Sequence, residues 1–467
     1  MKNRSGAPRG GAHVIRRIRR TTGASGAAIL LLLALRTPVV AQTPLSGASE
    51  TATASLDALL AHANTSNPSV RAARERVEAA RARVAPAGAI PDPMLGIGVM
   101  NLPVDGAGYS EMTMNTVMLG QVVPFPGKLG LQRQIAEREL VAAEARLEGT
   151  RLDLERDARR AYYELAFLDR ALDVVEQNQR LLVTLIGVTQ ARYGVGSGGQ
   201  DEVLRAQVEA SGLAEQAVAL TEQRRAALAR LNALLDRPSD TLVDAARIPE
   251  RIARAAVASS ASESRFVSAA LGARAANSPL PPLETLQQRA IRNSPAVRAQ
   301  EAEIAAQAAR LELARKAHLP DFDVSLQYGQ RPDHSDMLSV GVSVPIPLHR
   351  AARQDAQVTE SSAELSALEA EHHAHVNEVR ASVAEAYSEA EKARAQLALF
   401  VQAILPQGQA ALESATAGFQ VGSVEFSALL DNQATLYGYE TAYHRALTDF
   451  ATAVAELQRL VGEEVLS

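Results

Sequence analysis

The chain has 467 residues, 47% of them hydrophobic but only 4% aromatic, with no Trp and no Cys. That profile favours long helices packed through small aliphatic side chains, and it excludes disulfides, thiolate metal sites, a cysteine nucleophile and an N-terminal lipid-modified cysteine. Residues 1–41 carry eight basic and no acidic side chains, so the rest of the chain is strongly acidic and no nucleic-acid partner is expected.

The N-terminus has the pattern of an export signal over 1–41. Arg16, Arg17, Arg19 and Arg20 form a basic region, Ala27 to Leu35 a short apolar run, and Val39-Val40-Ala41 a small-residue cleavage site. The run is too short to cross a bilayer, and no later stretch is apolar enough to do so as a helix. Membrane insertion, if it occurs, has to use strands.

The remaining chain is duplicated. Asn67-Pro68-Ser69-Val70-Arg71-Ala72 recurs as Ser294-Pro295-Ala296-Val297-Arg298-Ala299, Ile90-Pro91-Asp92 as Leu319-Pro320-Asp321, and Val123-Pro124-Phe125-Pro126 as Val344-Pro345-Ile346-Pro347. Tyr193-Gly194-Val195-Gly196-Ser197 recurs as Phe419-Gln420-Val421-Gly422-Ser423, and Gln207 matches Gln433. Five landmarks in one order at nearly constant spacing define an internal repeat. The division is a first repeat over 42–246, an Ala/Ser/Pro-rich linker over 247–282 read as a poorly ordered insertion or a surface wrap and not a domain, and a second repeat over 283–467.

Each repeat follows one plan. A helix is expected over about Ser69–Ala85, and its counterpart over about Ala296–His318; prolines end both. A β-hairpin follows in each, at about 94–123 and 322–344. In the second, Phe322, Val324, Leu326 and Tyr328 alternate with Asp323, Ser325, Gln327 and Gly329, while Leu338, Val340, Val342 and Val344 alternate with small polar residues. The first hairpin sets Leu95, Ile97 and Val99 against Gly96 and Gly98, and its return strand near Met112–Val123 alternates less cleanly. Strands of about nine residues match a tilted crossing of a bilayer. Four strands cannot close a barrel, and an open edge in lipid leaves backbone groups unpaired, so several copies must pool their strands; three would give twelve, an even number within the range of bacterial barrels.

Long helices follow the hairpins, over Lys128 to about Tyr193 and His349 to about Phe419. The first carries a heptad-like seam of Leu147, Leu154, Ala158, Ala161, Leu165, Leu168, Leu172, Val175, Leu182, Ile186 and Tyr193; the second is weaker, with Leu397, Phe400, Ile404 and Ala411. Gly-containing turns reverse the chain into shorter helices at about Asp201–Leu235 and Glu425–Leu460. The short helix before each hairpin is expected to stack on the end of the returning helix.

These features together resemble the TolC outer-membrane efflux protein family. The stretch Pro91-Asp92-Pro93-Met94 to Asn101-Leu102-Pro103, followed by Val123-Pro124-Phe125-Pro126-Gly127-Lys128, is similar to its heavy-metal efflux branch, which includes CusC and CzcC. The resemblance implies a mainly α fold with a small β part, assembled as a homotrimer with a twelve-stranded outer-membrane barrel and a long periplasmic α-helical barrel. It implies a passive exit duct, without enzyme activity or cofactor, for substrate delivered by a periplasmic adaptor and an inner-membrane pump of the resistance-nodulation-division type. It also implies adaptor contacts at Val195, Gly196, Ser197, Val421, Gly422 and Ser423. The gate departs from TolC, whose second-half turn carries a Tyr, an Arg and two Asp; here the matching residues are Phe419, Val424, Ala428 and Asp431. Asp431 is then the retained acidic ring, with Glu202 its first-half candidate.

Two clusters suit metal chemistry. Apart from the initiator, every Met (Met94, Met100, Met112, Met114, Met118, Met337) lies in an expected hairpin, and thioethers suit Cu(I), although Met is also an ordinary apolar strand residue. His372 and His375 lie three apart on one helix face, a weak candidate metal pair beside the plainer reading of a solvated face. Gly194-Val195-Gly196-Ser197-Gly198 lacks the Lys-Ser/Thr ending of a phosphate loop. Heavy-metal cations are the expected cargo, with drug efflux and type I protein secretion as alternatives. A periplasmic adaptor and a structural coiled-coil protein are the readings from other classes; the duplicated hairpins disfavour both.

Overall fold

The computed structural model describes residues 55–104, 110–243, 246–257, 280–331 and 334–466. The export signal and the chain start to residue 54 lie outside the described residues.

The first repeat opens with α1 (Leu56–Ser66) and α2 (Pro68–Ala87). Asn67 separates them: its side chain accepts from the Ser69 and Val70 N–H groups, and Pro68 at the first helical position needs no donor partner. The second repeat opens identically with α6 (Leu283–Asn293) and α7 (Pro295–Lys316), capped by Ser294 ahead of Pro295. The Asn/Ser-Pro landmark is therefore a helix-start device used twice, and the helix ahead of it escaped the sequence reading in both halves.

A strand pair follows each. β1 (Met94–Met100) and β2 (Met114–Val123) join β3 (Phe322–Gln330) and β4 (Met337–Ser343) in one antiparallel sheet of order β1-β2-β3-β4. The register sets Ile97 against Val117, Val117 against Tyr328, and Tyr328 against Leu338; one step along, Leu95, Leu119, Leu326 and Val340 align. One face is thus a continuous apolar band, and it is exposed: Ile97 at 82% and Val340 at 73%. The opposite face carries Gly96, Gly98, Thr116, Gly120, Ser325, Gln327 and Gly341. The polar interruption in β2 is Gln121, whose amide donates to the Pro91 carbonyl at 2.8 Å and the Val122 carbonyl at 2.9 Å. A satisfied amide sits on an apolar face at little cost.

The helical part is built from α3 (Lys128–Gly194), α4 (Gln200–Leu234), α5 (Glu250–Val257), α8 (Ala356–Leu399), α9 (Leu405–Gln420) and α10 (Phe426–Val461). α3 alone extends about 100 Å at 1.5 Å per residue. Among the described residues no helix is long and apolar enough to cross a membrane. α2 stacks on the end of α4, where Asn67 Nδ2 donates to the Leu234 carbonyl and Ser66 Oγ to that of Leu235. Asn293 Nδ2 and the Val461 carbonyl make the matching joint between α6 and α10. A core of Leu59, Tyr163, Leu165, Leu286, Leu397, Phe450 and Leu457 ties both repeats together.

Three expectations need correction. The linker is not wholly an insertion, because α5 places Ile252 and Ala256 in that same core; residues 258–279 of it lie outside the described residues. The second long helix is interrupted by π-helical turns at Ala351–Asp355 and Phe400–Ile404. Each adds a residue per turn, so the seam beyond Ile404 rotates: Ala411 is exposed, while Leu412, Ala415 and Phe419 face the core. The seam of α3 is also wider than a two-stranded one. Tyr162, Tyr163, Ala166, Phe167 and Val174 are buried beside the expected positions because neighbours pack on several sides, and Tyr193 at the tip is exposed.

Candidate functional site at the helix-reversing turns

The turns after α3 and α9 are built alike. Gly196 and Gly422 adopt φ of 73° and 75°, the left-handed conformation that favours glycine. Around the first, the Ser197 N–H donates to the Arg192 carbonyl at 2.9 Å and the Gly196 N–H to that of Tyr193 at 3.0 Å. Around the second, the Ser423 N–H donates to the Gly418 carbonyl at 2.9 Å and the Gly422 N–H to that of Phe419 at 3.1 Å. This pair of bonds is the Schellman arrangement, which satisfies carbonyls a helix end otherwise leaves open. Ser197 Oγ and Ser423 Oγ add a bond each to the Arg192 and Gly418 carbonyls. The repeated Val-Gly-Ser is therefore one turn made twice, and it lifts Val195 and Val421 into solvent at 79% and 80% exposure. Exposed valines matched in this way make a paired apolar tip.

The residues expected at the gate separate. Phe419 is buried at 3% exposure and packs on Phe426 with ring centroids 5.4 Å apart, within a cluster that includes Leu182, Leu213 and Leu429. It anchors the core of the tip and lines no surface of the protomer. Val424 is half-buried and closes over Gly418, where even a Cβ would meet its methyl group. Asp431 is exposed, whereas Glu202 is half-buried, one carboxylate oxygen lying against Gly198 without a hydrogen-bond partner.

Arg192 is the residue that sequence reading missed. Its guanidinium lies 4.5 Å from the Phe419 ring centroid and donates to the Phe419 carbonyl at 3.2 Å and the Ser197 carbonyl at 3.3 Å. One cation thus touches both turns and neutralises helix C-terminal carbonyls. The aligned repeats carry a signal: the position before Tyr193 holds Arg, and the position before Phe419 holds Gly418.

Among the described residues no three His, Cys, Asp or Glu groups are placed to hold a metal ion. His375 Nδ1 pairs with Glu378 at 3.3 Å, leaving His375 Nε2 and His372 Nδ1 without a partner. Of the six methionines, Met94, Met100, Met114, Met118 and Met337 lie on the small, polar face of the sheet and Met112 in the turn. Met114 fills the space above Gly329, and the Met100 sulfur faces Gln327 Nε2 at 3.8 Å.

The Outer membrane efflux protein family matches residues 59–237 and again 286–463. The chain belongs to the outer membrane efflux protein family. It is 24% identical over 411 residues to the Cobalt-zinc-cadmium resistance protein CzcC of Cupriavidus metallidurans, covering 87% of this chain and 90% of that protein. Among solved structures it is similar to CusC, with a TM-score of 0.72, 16% identity and coverage of 87% and 92%. VceC of Vibrio cholerae gives 0.71, 19%, 88% and 97%, and the outer-membrane channel OprN gives 0.71, 19%, 88% and 91%. The fold of this efflux protein is accordingly the TolC-like one, mainly α with a small antiparallel sheet.

Proposed function

We propose that this efflux protein is the outer-membrane exit duct of a tripartite metal-export system. In this reading it works as a homotrimer and passively conducts cations delivered by a periplasmic adaptor and an inner-membrane pump of the resistance-nodulation-division type. The observation that carries it is the sheet. Four antiparallel strands expose an apolar face and leave β1 and β4 with one neighbour each. No such edge survives in hydrocarbon. Because β1 and β4 run antiparallel, β4 of one copy meets β1 of the next in the same sense as the internal pairs, so three copies close an even-numbered barrel. The apolar band then faces lipid, and the Gly, Ser and Thr face surrounds water. The helices continue that passage through the periplasm to the paired Val-Gly-Ser tips, whose exposed valines suit an adaptor contact. There Asp431 is the acid offered to cations near the threefold axis.

Heavy-metal cargo is supported by the likeness to CzcC across most of the chain. Deleting the gene and measuring growth on cobalt, zinc, cadmium, copper and silver beside a drug panel tests it. Several-fold loss of tolerance to at least one metal, restored by a plasmid copy, is the expected result. Unchanged metal tolerance with new drug sensitivity would assign the duct to drugs instead.

A further inference from the structure

Where β2 meets β3, the chain ties the base of the sheet with one carboxylate. Asp321 Oδ1 accepts from the Phe125 N–H at 2.8 Å and from Lys128 Nζ at 2.8 Å, while Lys128 Nζ also donates to the Leu319 carbonyl at 2.7 Å. Lys316 Nζ reaches the Pro126 carbonyl from the other side, and Phe125 stacks on Phe322 with centroids 6.5 Å apart. The clamp joins the Pro-Asp entering one hairpin to the Val-Pro-x-Pro leaving the other.

Both motifs occur twice, but only one pair meets within the chain. The second pair is Pro91-Asp92, ahead of β1, and Val344-Pro345-Ile346-Pro347, behind β4. These sit at opposite edges of the sheet. Asp92 is exposed and has no hydrogen-bond or ion-pair partner within the described residues. Around the unmatched motifs Ile346, Leu348 and Ile90 are exposed at 78%, 83% and 59%. By alignment of the repeats, Ile346 stands where Phe125 stands and His349 where Lys128 stands, with Arg350 next to it.

We propose that this clamp is completed between subunits: Asp92 of one copy accepts the Ile346 N–H of the next and faces its basic His349-Arg350 segment. The inference rests on the trimer proposed above. It also sets the strand register across the boundary, by transferring the β2–β3 pairing to β4 and β1. Val342 falls opposite Leu95 of the partner subunit, Val340 opposite Ile97 of the partner subunit and Leu338 opposite Val99 of the partner subunit. Gly341 falls opposite Gly96 of the partner subunit. On the lipid side every apolar residue of the two strands then meets an apolar one, and on the lumen side Gly341 and Ser339 meet glycines while Ser343 meets a methionine. Nothing in the transfer required that agreement, since a slip of one residue inverts the faces.

The chain has no Cys, so engineered pairs report cleanly. In the internal clamp a single hydrogen bond links the Asp321 carboxylate to the Phe125 N–H, which sets the two residues side by side, and a disulfide spans Cα separations of about 4.4–6.8 Å. The full-length double variant D92C/I346C, oxidised in outer membranes, is expected to give a covalent trimer on a non-reducing gel that collapses on reduction. The internal control D321C/F125C is expected to stay at protomer size. A wild-type trimer caught by chemical cross-linking or native gel, with no disulfide-linked species in D92C/I346C, overturns the clamp and leaves the trimer standing. Absence of any wild-type trimer overturns both. Should the double variant not reach the membrane, D92N serves. It is expected to lower the temperature at which the trimer dissociates in detergent without changing helical content, as E111Q in the exposed turn does not; unchanged dissociation overturns the proposal.

Discussion

Individual side chains in this protein matter where two elements share them. Arg192 spans both turns, and Asp321 joins two hairpins although burial works to raise its pKa; the hydrogen bond from Lys128, the Phe125 N–H and the Lys128 charge outweigh that and hold it below the ordinary carboxylate value. His444, on α10 beside Tyr443, responds oppositely. Burial lowers its pKa and the Arg170 charge adds to the effect, against a smaller opposing influence of Asp173. A histidine depressed in the folded state binds its proton more readily when unfolded. Stability therefore holds above the unfolded value of about 6.5 and falls as pH drops from there through the folded value. Thermal melts in detergent are expected to show this loss as pH falls below about 6.5, and H444Q is expected to flatten it. An equal acid loss in H444Q would place the sensitivity elsewhere.

At the level of elements, the duplication is imperfect in an informative way. α3 runs unbroken from the sheet to the tip, whereas its counterpart absorbs two π-helical turns. The turn at Phe400–Ile404 sets which residues face inward below it, putting Ala415 and Phe419 in the core cluster of the tip, Leu412 against it and Ala411 in solvent. Deleting one residue there, Val401, is expected to restore regular winding and rotate α9 by about 100°, exposing Leu412 and Phe419. Withdrawing the buried Phe419 from the tip corresponds to about 2–5 kcal/mol, with a smaller loss from the half-buried Leu412. Hydrogen exchange is expected to accelerate through α9 and the start of α10 while the core around Leu165 and Phe450 stays protected. Uniform protection would mean that the extra residue carries no packing role.

For the whole molecule, the two ends have different chemistry. One end offers an apolar sheet face that the proposed barrel turns to lipid; the other offers the small paired tips at Val195 and Val421. If the tips receive an adaptor, V195D with V421D is expected to lower adaptor co-purification at least tenfold, about 1.4 kcal/mol or more in binding. Membrane insertion and trimer cross-linking are expected to stay unchanged, since both valines lie outside the protomer's core clusters. Retained adaptor binding would remove the tips from the interface.

Much of this was legible in the residues themselves. Repeated Asn/Ser-Pro starts, Val-Pro-x-Pro exits and Val-Gly-Ser turns are local devices, since a proline, a cap or a positive-φ glycine acts on its own neighbours. Alternation in the strands likewise named the faces before any pairing was known. What the linear order could not carry was partnership. The resemblance to TolC places Phe419 at the gate, where it matches a Tyr, yet Phe426, Leu429 and Arg192 enclose it in the tip core. The first part of the linker looked unstructured by composition, yet α5 seats Ile252 in the main core. Ala411 had the right spacing and the wrong face, because a single inserted residue upstream turns the helix. In each case burial depends on which surfaces arrive from elsewhere in the chain, and a residue's own neighbours in sequence carry no record of that.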